Sequence, residues 1–298
     1  MAGHCEGAGR ARSEGIGELG VPGRCQASTP PSGRNACLRA HPSAADMTAA
    51  GLPAGFARLA PPLPGRALSQ QQWRYVTFLH WQVDEHLVAK LLPAGTRPDL
   101  FDGVTYVGLV AFVMADAGFG VRRPVPWLGT FPETNVRFYS VDEQGRHGVV
   151  FASLEATRLA TVLAARGIYQ LPYTWAHMRV RQRGSTWWYH SDRRWPDVGP
   201  HSAVQIQQGS AVVPSPLEEF LTARWGLHHA VHIPGRRAPV TCWTANEHEP
   251  WPLFRAQLVH LDETLLAAAG LPRVGPPDLA PLWSPGVTTR FARPVPLT

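Results

Sequence analysis

Phe131-Pro132-Glu133-Thr134-Asn135-Val136-Arg137-Phe138-Tyr139 is the stretch whose reading decides the fold. Val136, Phe138 and Tyr139 favour extended backbone, and Pro132 stands at the entrance, where a missing N–H is tolerated. Side chains alternate along a strand, so Glu133, Asn135 and Arg137 share one face while Thr134, Val136 and Phe138 share the other. A carboxylate, an amide and a guanidinium in one row make either a solvated outer face, with an exposed ion pair worth little, or the polar floor of a pocket.

The neighbouring segments are also strands. Trp73 to Trp81 carries bulky residues on both faces, and Val104 to Met114 is nearly continuous β-branched and aromatic sequence, so both read as buried strands. Asp84 caps a short helix expected over Glu85 to Leu92, stopped by Pro93 and Gly95. Residues 115–130 read as a loop. Gly145 turns the chain from the 131–139 strand into Gly148–Ser153, and Gly184 joins strands 175–183 and 185–191, giving two hairpins. Ala156, Leu159, Ala160, Leu163 and Ala164 form an apolar stripe that predicts a helix over Glu155 to Tyr169, ended by Gly167 and Pro172. A strand is expected at 201–208. Ser215-Pro216-Leu217-Glu218 is a capping-box start for a helix reaching Trp225. Residues 227–233 and 238–245 pair across Pro234-Gly235. Strand 253–260, a short helix 262–269 and a last strand 287–293 complete the series.

Regular strand–helix alternation is absent, which argues against a doubly wound sheet. The fold class expected is α+β: a large antiparallel β-barrel or strongly curled sheet with a few peripheral helices. Residues 1–66 are rich in Gly, Ala, Ser, Pro and Arg without a period, and such a segment buries too little apolar surface to offset its ordering entropy. They read as a disordered tail, with Met47 the expected initiator, and 67–298 reads as a single domain.

Composition narrows the function classes. The net charge is +6, yet Lys90 is the single lysine among 28 basic residues. No Lys/Arg block or zinc-finger spacing accompanies the charge, so no nucleic-acid partner is expected. Cys5, Cys25, Cys37 and Cys242 include no Cys-x-x-Cys pair, which speaks against a structural zinc and for a reducing compartment. No apolar run approaches the roughly 20 residues of a membrane span, and no secretory core opens the sequence. Cytoplasmic localisation, no membrane and no cofactor are the expectations; nothing in the sequence points to an oligomeric state. His228 and His232 share a strand face and His229 lies opposite, so three convergent metal ligands do not follow.

Several segments together resemble the YqjF-like family of uncharacterised bacterial proteins, a domain of unknown function. They are Phe78-Leu79-His80-Trp81, Leu91-Leu92-Pro93-Ala94-Gly95, Tyr106-Val107-Gly108-Leu109-Val110, Phe131 to Arg137, Leu171-Pro172-Tyr173 and His248-Glu249-Pro250-Trp251-Pro252-Leu253. The resemblance covers about residues 70–295. It implies a fold similar to acetoacetate decarboxylase, an antiparallel barrel around a pocket, and it implies that Glu133 is the pocket carboxylate. Acetoacetate decarboxylases carry a buried Schiff-base lysine in a Gly-aromatic-Pro-Lys-Lys stretch, where a neighbouring cation and desolvation keep the amine neutral. The stretch that looks equivalent here is Gln170-Leu171-Pro172-Tyr173-Thr174, with Tyr173 in place of the nucleophile.

The expectation is a small-molecule ligand or substrate, an organic anion or carbonyl compound, held in the barrel pocket. Glu133 and Tyr173 are the candidate catalytic residues, and Asn135, Arg137, His177, Arg179 and His80 the candidate ligand-binding ones. The alternative is a lysine-independent lyase, hydratase or isomerase with Glu133 as general base. His80, in an apolar strand, also fits a hydrogen-bonded core histidine. His177 and Arg179 fit a water-facing strand equally well, and Trp187, Trp188 and Tyr189 fit packing better than base stacking. A third class, association through an apolar loop around Trp127, requires a surface patch there.

Overall fold

A computed structural model describes residues 51–119, 129–272 and 275–297. In chain order the elements are β1 (Ser69–Val83), α1 (Glu85–Ala89), β2 (Thr96–Pro98), β3 (Thr105–Phe119), β4 (Phe131–Asp142), β5 (His147–Ala156), α2 (Leu159–Ile168), β6 (Tyr173–Arg183), β7 (Thr186–Trp195) and β8 (His201–Ala211). They continue with α3 (Pro216–Thr222), β9 (Gly226–Val231), β10 (Val240–Glu247), β11 (Phe254–Glu263), α4 (Leu265–Ala268), β12 (Leu282–Phe291) and β13 (Val295–Pro296). Asp84 caps α1 by accepting from His86 N at 2.7 Å, and Ser215 with Glu218 forms the capping box of α3.

Among the described residues, 13 strands form one sheet that curls back on itself. The order β5-β6-β7-β8-β11-β12-β1-β3-β4 returns to β5 through the β4–β5 hairpin, and a β10–β12 pairing closes a second circuit through β9 and β5. The strands β5, β4, β3, β1 and β12 belong to both circuits. One of their faces packs Leu79, Leu109, Val136 and Phe138 against Trp187, Tyr189 and Ile206, a continuous hydrocarbon core. The other face carries Phe78, Val110, Phe112 and Phe131 into the second circuit. All but two of these strand pairs are antiparallel; β5 runs parallel to β6 and to β9.

Two irregularities set which side chains face the second circuit. On β1 the register shifts between Arg74 and Thr77, with Tyr75 at φ 57, so Trp73 and Val76 face the same way although three residues apart. Tyr189 Oη holds this bulge by donating to the Tyr75 carbonyl at 2.7 Å. On β5 the register shifts beside Val136 and Arg137, which turns both Phe151 and Leu154 to that face while Ala152 packs into the other core. An extra residue in one strand of a pair produces this change of face.

Some sequence expectations need correction. Residues 155 and 156 belong to β5 rather than to the following helix, because pairing with β4 and β6 captures them. The stripe on α2 is rotated as well, with Val162 and Ala165 buried and Leu159 and Leu163 exposed. Residues 115–119 extend β3 instead of opening a loop. The tail expected over 1–66 is too long at its C-terminal end: Leu52 and Phe56 pack against the core and Trp225 Nε1 donates to the Ala57 carbonyl at 2.6 Å. The Met47 expectation lies outside the described residues, as does Trp127. No helix among the described residues is long and apolar enough to cross a membrane.

Candidate functional site

A cavity of about 290 Å³ opens into the second circuit, at the small end of the range for small-molecule sites. Glu133, Asn135 and Arg137 all line it, which puts the polar row of β4 on the cavity side. The rest of the wall is mostly apolar and aromatic: Trp73 and Phe78 from β1, Val110 and Phe112 from β3, Leu154 from β5, and Trp251 stacked on Trp73 at 5.9 Å.

Glu133 is 2% exposed. Tyr173 reaches it because β5 and β6 run parallel with Leu154 opposite Tyr173, and Leu154 in turn faces Asn135 on β4. The Tyr173 hydroxyl donates to Glu133 Oε2 at 3.1 Å, and Asn135 also hydrogen-bonds the carboxyl. Among the described residues no cation pairs with it. Burial therefore pushes its pKa from 4.5 up to about 8, with the bonds from Tyr173 and Asn135 only partly opposing the shift. At neutral pH the group is mostly the protonated acid. Burial and the adjacent carboxyl raise the Tyr173 phenol well above its ordinary value, so it stays protonated too.

Arg137, four residues on, does not reach Glu133. Its Nε donates to the Tyr139 hydroxyl at 3.3 Å and its Nη2 to the Leu221 carbonyl at 3.0 Å, with the guanidinium 5.5 Å over the Phe78 ring. His80 does not line the cavity. Its Nε2 lies 2.7 Å from the Tyr139 hydroxyl, and burial, then Arg137 and Arg224, hold its pKa well below 6.5. The same hydroxyl accepts from Arg137 and bonds this neutral imidazole, so His80 sits behind Arg137 as a hydrogen-bonded core histidine.

His177 and Arg179 are exposed and stand outside the cavity. They follow Tyr173 and Trp175 on the same face of β6, but β5 runs beside β6 only as far as Trp175; beyond it β6 pairs with β7 alone. Thr174 turns the other way, donating to Glu155 Oε2 at 2.5 Å. Lys90 is exposed at the end of α1.

His229 and Thr244, which the sequence reading left out of the site, line the cavity. His229 was legible as an alternate of the apolar Leu227 on β9, a signal masked by the metal-like run of histidines. Its neighbour His228 faces away, 2.8 Å from Ser140 Oγ and 3.1 Å from Asp142 Oδ2.

The curled sheet with its few helices is similar in fold to acetoacetate decarboxylase-like proteins. Acetoacetate decarboxylase from Legionella pneumophila matches 80% of this chain and 92% of its own with a TM-score of 0.55 at 12% identity. The enduracididine biosynthesis enzyme MppR, solved with pyruvate, matches 82% and 93% with a TM-score of 0.54 at 13% identity. Such likeness concerns the fold. The chain belongs to the DUF2071 family, described as an uncharacterized conserved protein, whose model matches residues 70–288. YqjF of Bacillus subtilis (strain 168), described as an uncharacterized protein, is 27% identical over 206 residues, covering 68% of this chain and 82% of YqjF.

Proposed function

We propose that the cavity binds a small organic anion or carbonyl compound, with Glu133 and Tyr173 holding the ligand's oxygen. The observation that carries this reading is a buried carboxyl, without a cation, set in an otherwise apolar cavity wall. A group so placed costs stability, since a buried polar group is costly when incompletely bonded, and a ligand oxygen would complete its bonding. Protonated Glu133 is a hydrogen-bond donor, and the Tyr173 hydroxyl, which donates to Glu133 Oε2 at 3.1 Å, becomes a second one when it turns from the carboxyl to the ligand. Two neutral donors suit a carbonyl oxygen. MppR, which shares the fold and is solved with pyruvate, agrees with a carbonyl-bearing ligand.

A lysine Schiff base has no place in this chemistry, because the single lysine is exposed on α1. The value near 8 for Glu133 favours a second reading, in which the site moves a proton. A carboxylate of that basicity removes a proton beside a carbonyl far better than an ordinary one, and the phenol stabilises the enolate oxygen. That is the shape of a lysine-independent lyase, hydratase or isomerase.

A thermal-shift and native mass spectrometry screen with β-keto, α,β-unsaturated and aromatic acids tests both. Hits are expected to bind Glu133→Gln or Tyr173→Phe about ten-fold more weakly, roughly 1.4 kcal/mol. If neither substitution alters the binding of any hit, the assignment fails. Deuterium exchange at the carbon beside the carbonyl, lost in Glu133→Gln, separates proton transfer from binding alone.

A further inference from the structure

The cavity has a second polar end that the Glu133–Tyr173 pair does not use. Arg137 lies four residues from Glu133 on one strand face, so their backbones are about 13 Å apart at roughly 3.3 Å per residue. Arg137 is 9% exposed, and its described partners are a hydroxyl, a carbonyl and two aromatic rings, all uncharged. A buried cation without an answering anion is costly.

His229 stands at the same end. Arg137 pairs with Phe151 on β5, and Val149 of β5 pairs with Leu227 of the parallel β9, so Arg137 and His229 flank Phe151 on the cavity wall. His229 is 8% exposed; its Nε2 lies 3.0 Å from Thr244 Oγ1, and its Nδ1 has no partner. Burial, helped by the adjacent His228, lowers its pKa to about 4, so the ring is neutral at pH 7. When the Thr244 hydroxyl donates to Nε2, the ring proton sits on Nδ1, the unpartnered position. The guanidinium thus lines this end of the cavity beside a neutral imidazole whose Nδ1 is buried without a partner.

We infer that Arg137 and His229 receive the carboxylate of the ligand, with Thr244 fixing the imidazole, so that the bound molecule is a monocarboxylic acid lying along β4. This rests on the reading of the cavity as a ligand site and deepens it. The apolar body of the acid spans Phe78, Val110 and Leu154, and its far end meets Glu133. A second carboxylate at that far end would face a carboxyl able to ionise, which disfavours dicarboxylates.

The probes are straight-chain carboxylates from butanoate to decanoate and the primary amides of the same lengths, measured at pH 7 by thermal shift and calorimetry. At the chain length that fills the cavity, the acid is expected to bind at least about ten-fold more tightly than its amide. Arg137→Gln should abolish that preference and His229→Gln should reduce it, while Glu133→Gln preserves it. The wild-type comparison needs no variant, so a poorly folded Arg137→Gln protein does not remove the test. Equal binding of acids and amides overturns the inference, as does a preference that survives Arg137→Gln. If acids and amides bind equally and Glu133→Gln weakens both, the cavity reading stands and only the carboxylate end is lost. If no acid or amide binds, and no compound of the carbonyl screen does either, both readings fall.

Discussion

Glu133 and Glu155 are both buried carboxyl groups near the β4–β5 junction, and their surroundings differ. Glu155 receives Arg193 Nη2 at 2.6 Å and the Thr174 hydroxyl at 2.5 Å. Burial raises the Glu133 pKa from 4.5 to about 8, and its neutral partners Tyr173 and Asn135 offset this only in part. The folded chain therefore binds one more proton than the unfolded chain between these values, and stability must fall as pH rises through that window. The buried histidines act the other way: His229 and His248 are lowered to about 4, so their contribution grows as pH rises toward 6.5 and then levels off. Between pH 6.5 and 8 the Glu133 slope acts without that opposition, and chemical denaturation at a series of pH values should show wild-type stability declining there. Glu133→Gln should flatten the decline; an unchanged slope would mean that Glu133 is ionised throughout. Tyr173→Phe removes a bond that favours the carboxylate, so the protonation midpoint, followed by the carboxyl infrared band, should move higher. The polar row itself was legible from strand alternation. The neutrality of Glu133 was not, because Arg137 looks like a partner in sequence, yet about 13 Å of strand separates their backbones.

At the scale of elements, turn glycines and capping residues announced the hairpins and the start of α3. The β1 bulge has no comparable signature. Tyr75 adopts φ 57, a region few non-glycine residues enter, and nothing in Trp73-Arg74-Tyr75-Val76 requires it locally. The opposing strand supplies the reason. Gly286 on β12 has φ 121, and a Cβ there would lie 1.8 Å from the Trp73 carbonyl oxygen. Only glycine lets β12 approach β1 so closely, and the approach fixes the cavity position of Trp73. Gly286→Ala combines overpacking with backbone strain and should cost about 2–5 kcal/mol in urea unfolding. Gly235→Ala offers the comparison. It has φ 85 and open space around it, so only the strain remains, about 1 kcal/mol. Equal losses at the two positions would rule out the close contact as the cause. The misplaced start of α2 has a similar origin. Glu155 and Ala156 favour helix, but pairing on both sides holds them in β5, and tertiary structure overrides propensity.

Closure is what a linear reading of the chain could not supply. Hairpins can be inferred from adjacent segments, whereas β5 lies parallel to both β6 and β9, and β10 meets β12, across long separations in sequence. The segment before β1 reinforces that closure. Its composition reads as featureless, yet Phe56 lies 5.3 Å from the His147 ring and 5.2 Å from the Arg224 guanidinium, which is buried beside Asp99. Arg58 pairs with Glu219 on α3, and Leu63 N donates to Glu247 on β10 at 3.3 Å. Phe56 therefore covers a buried ion pair, and its removal admits water to Asp99 and Arg224 as well as losing apolar area. Phe56→Ala should lower stability by about 1–3 kcal/mol, more than a half-buried ring alone would suggest. Part of that loss should disappear when Arg224 is first replaced by Met, because the two side chains are in contact and their effects should not add. Ligand binding should be unaffected, since Phe56 is not on the cavity wall. An unchanged unfolding midpoint in Phe56→Ala would mean that residues 51–66 rest on the body without supporting it.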